Sequence, residues 1–297
     1  MSNKTHRELL HLKNDYVFKR VFGDTHNIDI LTDFLKSILD IPEEEYERIE
    51  IIDPALNPRY EGDKKGILDV RIHTTNGKTV NVELQLEPTD GFRARILFYS
   101  ARLLSDQTER GKGYDVIKRV ISVVITDFDL ITETEGYHSK FLMYDKDAGI
   151  VFSDIIEIQI LELAKLPEAD GNGKLLDWLK LIRSEDENEM EELAKKNPYM
   201  QKTVAVIREM SEDEAARMFA EAREKERRDR QATYTLGLKE GRQEGEQRGM
   251  EIGEQRGIEI GEQKIGIAIA KSMKRKGMDV ASISEITGLG VAEIGAL

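Results

Sequence analysis

The sequence predicts an α/β fold in which a mixed β-sheet is flanked by helices and followed by a helical C-terminal region. Over residues 1–165, short runs that alternate apolar and polar residues, as strands do, are interleaved with runs of helical periodicity. After residue 170 the patterns are helical, and they include a regular glycine repeat. We therefore expect a sheet-containing domain with helices on both faces and a helical appendage.

The first predicted elements are a helix over residues 29–40 and a short strand over residues 49–52. The helical segment, DILTDFLKSILD, has apolar residues at helical spacing and begins with a carboxylate. The strand segment is β-branched and is followed by Pro54 and Pro58.

A β-hairpin is predicted next, and it is expected to lie at the centre of the sheet. Residues 67–74 (ILDVRIHT) and 80–86 (VNVELQL) both alternate, and Asn76-Gly77 lies between them. Asn-Gly readily takes the positive φ angles of a tight turn. Asp69 is expected inside the first strand, where it interrupts an apolar run.

A helix and further strands complete the predicted domain. Residues 92–107 have helical periodicity, and residues 120–125 (VISVVI) form a continuous apolar run that is typical of a buried strand. Residues 141–144 and 155–161 are expected to add two strands.

The C-terminal half is predicted to contain three segments: helices over residues 166–235, a glycine-repeat linker or helix over 236–263, and a small tail over 264–297. Glycine recurs at every fourth position from Gly237 to Gly261. In a helix each glycine costs about 1 kcal/mol of stability relative to alanine, so the repeat needs an explanation. The alternatives are close approach of a partner helix, a twisted assembly, or flexibility. The tail resembles a degenerate helix-turn-helix whose last helix carries no base, which favours homo-oligomerisation or docking over base recognition.

Composition restricts the class of protein. With 39% hydrophobic and 34% charged residues and no run of about 20 apolar residues, a membrane protein is not expected. The chain has no cysteine, which excludes disulfides, cysteine–zinc sites and a thiol nucleophile. No signal peptide is recognisable at the polar N-terminus, and a cytoplasmic location is expected. The net charge of −13 is unfavourable for binding nucleic acid, although residues 93–119 contain more bases than acids.

The predicted hairpin carries the chemically informative residues. Glu83 and Gln85 are two positions apart on one strand and therefore share a face. The turn brings them towards Asp69, and two carboxylates on a sheet form an oxygen-rich site suited to a divalent cation such as Mg²⁺. Such a cation activates water and stabilises charge on a phosphate oxygen. The alternative is that Glu83 and Gln85 are solvated surface residues and that Asp69 is a partnered structural carboxylate.

The ordered motifs resemble the recombination-promoting nuclease (Rpn) or transposase-like family of the PD-(D/E)XK nuclease superfamily, whose core resembles that of restriction endonucleases. The matching pieces run almost end to end and are LKNDYVFKRVFG (12–23), GILDVRI (66–72), VNVELQ (80–85), RILFYSARLLSDQ (95–107), GKGYDVIKRVISVVI (111–125), the glycine repeat and SEITGL. In that family E-x-Q commonly replaces the E-x-K of the superfamily. Gln85 is therefore expected, although glutamine can neither act as a general base nor carry positive charge.

The resemblance implies a role for six residues. Asp69 and Glu83 would be ligands of Mg²⁺, for which Mn²⁺ could substitute, and Gln85 would orient water or phosphate. Asp15 would be a supporting acid, and its alternative role is a helix N-cap. Arg95 and Tyr99 lie four apart on one helix face and would bind the substrate, whereas the alternative for Tyr99 is core packing.

The resulting hypothesis is a Mg²⁺-dependent DNA endonuclease with little sequence specificity, which acts in recombination or in defence against foreign DNA. One alternative is a catalytically inactive, transposase-derived DNA-binding protein, which Gln85 and the acidic net charge favour. Another is an oligomeric scaffold driven by the glycine-repeat tail.

Overall fold

The computed structural model describes residues 8–56, 66–67, 69–108, 111, 113–168 and 173–297. The chain forms two compact units, residues 1–225 and residues 226–297. The first contains the sheet and most of the helices, whereas the second contains the glycine repeat and the tail. The predicted segment boundaries at residues 165, 235 and 263 remain predictions.

Two N-terminal helices precede the sheet, α1 (Asp15–Phe22) and α2 (Ile28–Ile38). The second confirms the helix expected over residues 29–40. At the start of α1 the side chain of Asn14 accepts hydrogen bonds from the amides of Tyr16 and Val17. Asn14 is therefore the N-cap, and the alternative that Asp15 caps this helix is wrong because Asp15 is already the first helical residue.

A mixed sheet of six strands has the order β1-β4-β5-β6-β8-β7. The β5–β6 and β6–β8 pairs are parallel, and the remaining pairs are antiparallel. A separate antiparallel pair joins β2 and β3. The strand bounds are β1 Glu50–Ile52, β2 Ala55–Leu56, β3 Gly66–Ile67, β4 Val70–His73, β5 Thr79–Gln85, β6 Val120–Thr126, β7 His138–Asp145 and β8 Ile150–Glu162.

The β4–β5 hairpin is present, but its turn differs in detail from the expectation. The amide of Gly77 donates to the carbonyl of Thr74 at 2.9 Å, and Gly77 has a φ of 81°. Asn76 does not have a positive φ, so glycine alone supplies the left-handed conformation. The strand expected over residues 67–74 is also interrupted, because Asp69 lies in a bend between β3 and β4.

A buried glutamate fixes this turn. The Glu45 carboxylate accepts hydrogen bonds from the Asn76 side chain at 3.0 Å and from the side chains of Thr74 and Lys78. Its side chain is only 3% exposed. Burial acts to raise the pKa of Glu45, but the hydrogen bonds from Lys78, Thr74 and Asn76 outweigh it and lower the pKa to about 2.

Helices cover both faces of the sheet, as expected. On one face, α3 (Phe92–Ser105) packs over β6 and β8, with Ile96 in contact with the apolar side chains of those strands. The opposite face, which bears Val82 and Val123, belongs to the main core with α1 and α2. Every residue of β6 is buried, which confirms the strand predicted over residues 120–125.

The main core also includes helices that follow the sheet. Their bounds are α4 Lys174–Arg183, α5 Glu187–Ala194 and α6 Pro198–Glu212. Trp178 of α4 is fully buried, and its ring centroid lies 5.6 Å from that of Phe34 and 6.0 Å from that of Phe22. Its indole nitrogen donates to Asp33 at 3.0 Å. These helices therefore complete the core rather than only following it.

Helix α7 (Glu214–Arg275) contains the whole glycine repeat. A Cβ atom added at any glycine of the repeat, from Gly237 to Gly261, would meet no described atom within 4 Å apart from the nearby backbone of α7 itself. The tail folds into α8 (Val280–Thr287) and α9 (Val291–Ala296), as expected. Across the described part of the chain, no helix has the length and apolar character needed to span a bilayer.

Candidate active site

The predicted acidic residues meet where β4 begins and β5 ends. Glu83 and Gln85 project from the same face of β5, because the intervening Leu84 and the preceding Val82 face the main core. Asp69 precedes β4, and its carboxylate accepts a hydrogen bond from the amide of Leu84 at 2.8 Å. The regular pairing of β4 with β5 ends at Val70 and Val82. Beyond this pair, the Asp69 side chain, rather than the main chain of β4, accepts the hydrogen bond from β5.

Asp69 is a largely buried carboxylate with a cationic partner. Its side chain is 11% exposed, and the Lys19 ammonium lies 3.1 Å from it. Burial raises the pKa of Asp69 above its usual range. The Lys19 charge and the Leu84 amide oppose this shift, whereas the negative charge of Asp15 adds to it.

Glu83 is buried to a similar degree and has its own cation. Its side chain is 15% exposed and lies 2.6 Å from the guanidinium of Arg95. Burial raises the pKa of Glu83, with Arg95 opposing the shift and the charge of Asp69 adding to it. The two carboxylates therefore interact electrostatically, which is the condition under which a shared cation is favoured.

Arg95 connects Glu83 to Gln85. The same Nη2 atom donates to Glu83 at 2.6 Å and to the amide oxygen of Gln85 at 2.7 Å. The Gln85 amide nitrogen donates to the carbonyl of Glu87 at 2.8 Å. The Arg95 guanidinium also lies 4.6 Å from the centroid of the Phe92 ring. These contacts fix the orientation of the glutamine at the edge of the site.

Asp15 reaches the site through Lys19. The Lys19 ammonium lies 2.8 Å from Asp15 and 3.1 Å from Asp69, so one lysine joins the two carboxylates. Burial lowers the pKa of Lys19, but the charges of Asp69 and Asp15 more than compensate and raise it above its usual value. Lys19 is therefore charged at neutral pH.

Tyr99 is placed differently from the other predicted residues. It is half-buried and packs against the apolar pair Leu103 and Val120, and its ring centroid lies 5.4 Å from that of Phe98. This is the environment expected for its alternative role in core packing. Substrate binding by Tyr99 stays a prediction.

The comparison with known families agrees with this geometry. Residues 12–235 match a family described as PD-(D/E)XK nuclease family transposase. The chain belongs to this family. The match spans most of the 297 residues, includes every predicted site residue, and confirms both the resemblance and the α/β nuclease fold. Neither the curated proteins nor the solved structures include one with significant similarity to the chain.

PD-(D/E)XK nucleases typically use divalent metals, and the donors at this site suit such a cation. The described residues contain no group of three or more histidine, cysteine or acidic side chains that could hold a metal. Asp69 and Glu83 nevertheless form a pair of largely buried, mutually repelling oxygen donors. Mg²⁺ is commonly bound by one or two carboxylates, with water in its remaining positions. The residues thus fit a hard cation, and Lys19 and Arg95 add positive charge beside the two carboxylates.

Two candidate functional residues, Lys19 and Arg71, were not identified from the sequence. Lys19 lies four residues after Asp15, a helical spacing that was the available signal. Arg71 lies on β4 opposite Asn81, and no pattern distinguished it from a polar residue on an exposed strand face. Burial lowers the pKa of Arg71, which the more distant charges of Asp106 and Asp53 oppose.

Proposed function

We propose that this protein is a metal-dependent DNA endonuclease with little sequence specificity. The observation that carries the proposal is the pairing of Asp69 and Glu83, two largely buried carboxylates whose charges repel each other and whose pKa values are both raised. Lys19 and Arg95 offset this repulsion only in part, since both pKa values stay raised, so a function that requires the pair is the simplest explanation. Family membership supports the choice of a nuclease.

The proposed mechanism assigns a separate task to each side chain. Asp69 and Glu83 would hold the cation, for which we propose Mg²⁺ with Mn²⁺ as a substitute. When bound, the cation lowers the pKa of a coordinated water and neutralises charge on the phosphate. Gln85, held by Arg95, orients the attacking water through its amide. In this mechanism Arg95 exchanges its contact with Glu83 for one with a phosphate oxygen of the substrate.

Lys19 supplies the positive charge that Gln85 lacks. In the superfamily pattern a lysine stands two residues after the acidic residue, and here that position is Gln85. The ammonium of Lys19 reaches Asp69 from α1 instead. It stabilises negative charge that develops at the phosphate during hydrolysis, while Asp15 keeps its side chain directed at the site.

The biological setting is proposed on the family alone. Recombination or defence against foreign DNA fits a transposase-related nuclease.

Homo-oligomerisation through the C-terminal region is proposed because apolar side chains such as Ile252, Ile258 and Ile260 are exposed along α7. The cytoplasmic location expected from the sequence stays a prediction.

A catalytically inactive DNA-binding protein is the second candidate. Gln85 in place of lysine and the net charge of −13 favour it. The oligomeric scaffold is the third alternative, and it makes no use of the buried carboxylate pair.

Plasmid cleavage separates these functions. The wild-type protein is compared with Asp69→Ala and Glu83→Ala in Mg²⁺ and in Mn²⁺, and DNA binding is measured in parallel. The endonuclease predicts metal-dependent nicking that both substitutions abolish. DNA binding by all three proteins without cleavage by any would support the inactive binding protein. Cleavage by all three at the same rate would contradict the assigned site.

A further inference from the structure

Arg71 carries a charge that no close partner among the described residues neutralises. Its side chain makes no hydrogen bond or ion pair with any residue that the structure describes, and its Nε atom is buried without a partner. The acids that influence it, Asp106 and Asp53, act at longer range than an ion pair. A half-buried guanidinium without a partner is unfavourable, because desolvation is not repaid by hydrogen bonds.

The position of Arg71 on the sheet places it beside the candidate active site. It pairs with Asn81 across the β4–β5 ladder, and Glu83 follows two residues later on β5. Paired side chains share a face, and Val70 and Ile72 on either side of Arg71 belong to the main core. Arg71 therefore faces the same side as Glu83. Strand geometry puts their Cα atoms about 8 Å apart, within the reach of an arginine side chain.

Asn81 adds a second unsatisfied group at the same ladder position. Its side chain belongs to the most buried polar residues, at 2% exposed, and its amide oxygen has no hydrogen-bond partner among the described residues. A buried amide without a partner costs stability unless a ligand satisfies it. The atom without a partner is an acceptor, which a phosphate oxygen cannot satisfy. Turning the Asn81 amide by 180° exchanges its oxygen and nitrogen and places an NH2 donor at that position.

We propose that Arg71, with the amide of Asn81, binds a phosphate of the DNA strand adjacent to the phosphate that is cut. A guanidinium matches two phosphate oxygens through parallel hydrogen bonds, which explains an arginine at this position. The subsite would fix the register of the strand relative to Asp69 and Glu83. It rests on the proposed nuclease function, and it commits that function to a substrate held by at least two phosphates.

The test measures DNA binding without divalent metal, so that binding is separated from cleavage. A short fluorescent DNA duplex is titrated with wild type, Arg71→Gln and Arg71→Lys over a series of salt concentrations. Arg93→Gln is the matched control, because Arg93 lies on α3 near Arg95 but pairs with the exposed Glu133 at 2.9 Å. Thermal unfolding of each variant is measured alongside.

The proposal predicts that Arg71→Gln weakens binding about tenfold and lowers the salt dependence by about one phosphate contact. Arg71→Lys retains part of the affinity, and Arg93→Gln binds as wild type does. Arg71→Gln unfolds at or above the wild-type temperature, because an unpartnered charge has been removed. Unchanged affinity and salt dependence in Arg71→Gln would overturn the proposal, as would weaker binding that is accompanied by loss of stability and is not rescued by lysine.

These outcomes are independent of the nuclease itself. If the wild type cuts plasmid and Arg71→Gln binds DNA as tightly as the wild type, the subsite is refuted and the proposed nuclease function is retained. If the wild type never cuts plasmid but Arg71→Gln binds DNA more weakly than the wild type, the result supports the phosphate subsite in a protein without turnover.

Discussion

Replacing Lys19 by methionine removes the cation that joins Asp15 and Asp69, and it should make the protein both less stable and more responsive to Mg²⁺. Removing one partner of a fully buried ion pair costs about 3–5 kcal/mol. The Lys19 side chain is 35% exposed, so solvent screening reduces the expected loss to about 1–2 kcal/mol. For a unit of this size, that corresponds to a fall in melting temperature of about 3–6 °C.

A divalent cation should then replace the missing charge. At ten times its dissociation constant, Mg²⁺ stabilises the folded state by about 1.4 kcal/mol, and in Lys19→Met it no longer competes with an ammonium for the carboxylates. The assay is calorimetric unfolding with and without Mg²⁺. Lys174→Met is the control, because Lys174 pairs at 2.6 Å with the buried carboxylate of Asp33 away from the site.

We expect both lysine variants to be destabilised, and only Lys19→Met to regain stability with Mg²⁺ beyond the gain of wild type. Cleavage by Lys19→Met should nevertheless fall, because the positive charge at the phosphate is lost. A Lys19→Met protein with the wild-type melting temperature and the wild-type response to Mg²⁺ would refute this account of the site.

Further predictions concern the framework around the site. Glu45 has a folded pKa of about 2 against an ordinary value of 4.5, so its contribution, about 1–3 kcal/mol, is present above pH 4.5 and lost as the pH falls towards 2. The free energy of unfolding in urea, measured between pH 7 and pH 3, should fall in wild type and fall less in Glu45→Gln. An equal fall in both proteins would contradict this role of Glu45. Trp178→Ala should cost about 3–5 kcal/mol, and a fragment of residues 1–165 should not fold, which limited proteolysis would detect. Gly249→Ala should stabilise α7 by about 1 kcal/mol, measured by thermal circular dichroism, whereas a loss would indicate a close helix partner at this glycine.

The local elements of the site could be predicted from the sequence because their signals are local. Alternation identified the two strands of the hairpin, and the two-residue spacing of Glu83 and Gln85 is sufficient to place both on one face. The register that brings Asp69 close to Leu84 follows from the hairpin itself.

The parts that were missed depend on contacts between distant segments. Lys19 reaches Asp69 across 50 residues of chain, and no periodicity in α1 records that contact. At the bend the Asp69 side chain, rather than a main-chain carbonyl, accepts the hydrogen bond from the Leu84 amide, and a strand pattern cannot distinguish this from a continuous strand. The contribution of Trp178 to the main core is likewise tertiary.

The lack of a described partner for the buried Nε atom of Arg71 was also not predictable, and the reason is different. An arginine that alternates with apolar residues is normally a solvated strand residue. Its buried, partnerless Nε atom is a property of the folded surface around it and has no counterpart in the sequence.

The central claim is that Asp69 and Glu83 together bind a divalent cation, and Mn²⁺ binding followed by electron paramagnetic resonance tests it most directly. The variants are Asp69→Asn and Glu83→Gln, which keep the side-chain volume and leave an acceptor for the Leu84 amide and the Arg95 guanidinium. Arg93→Gln is the control. We predict that wild type and the control bind Mn²⁺ alike, and that each carboxylate variant loses at least about tenfold in affinity. Equal Mn²⁺ binding by all four proteins, or by none, would contradict the account.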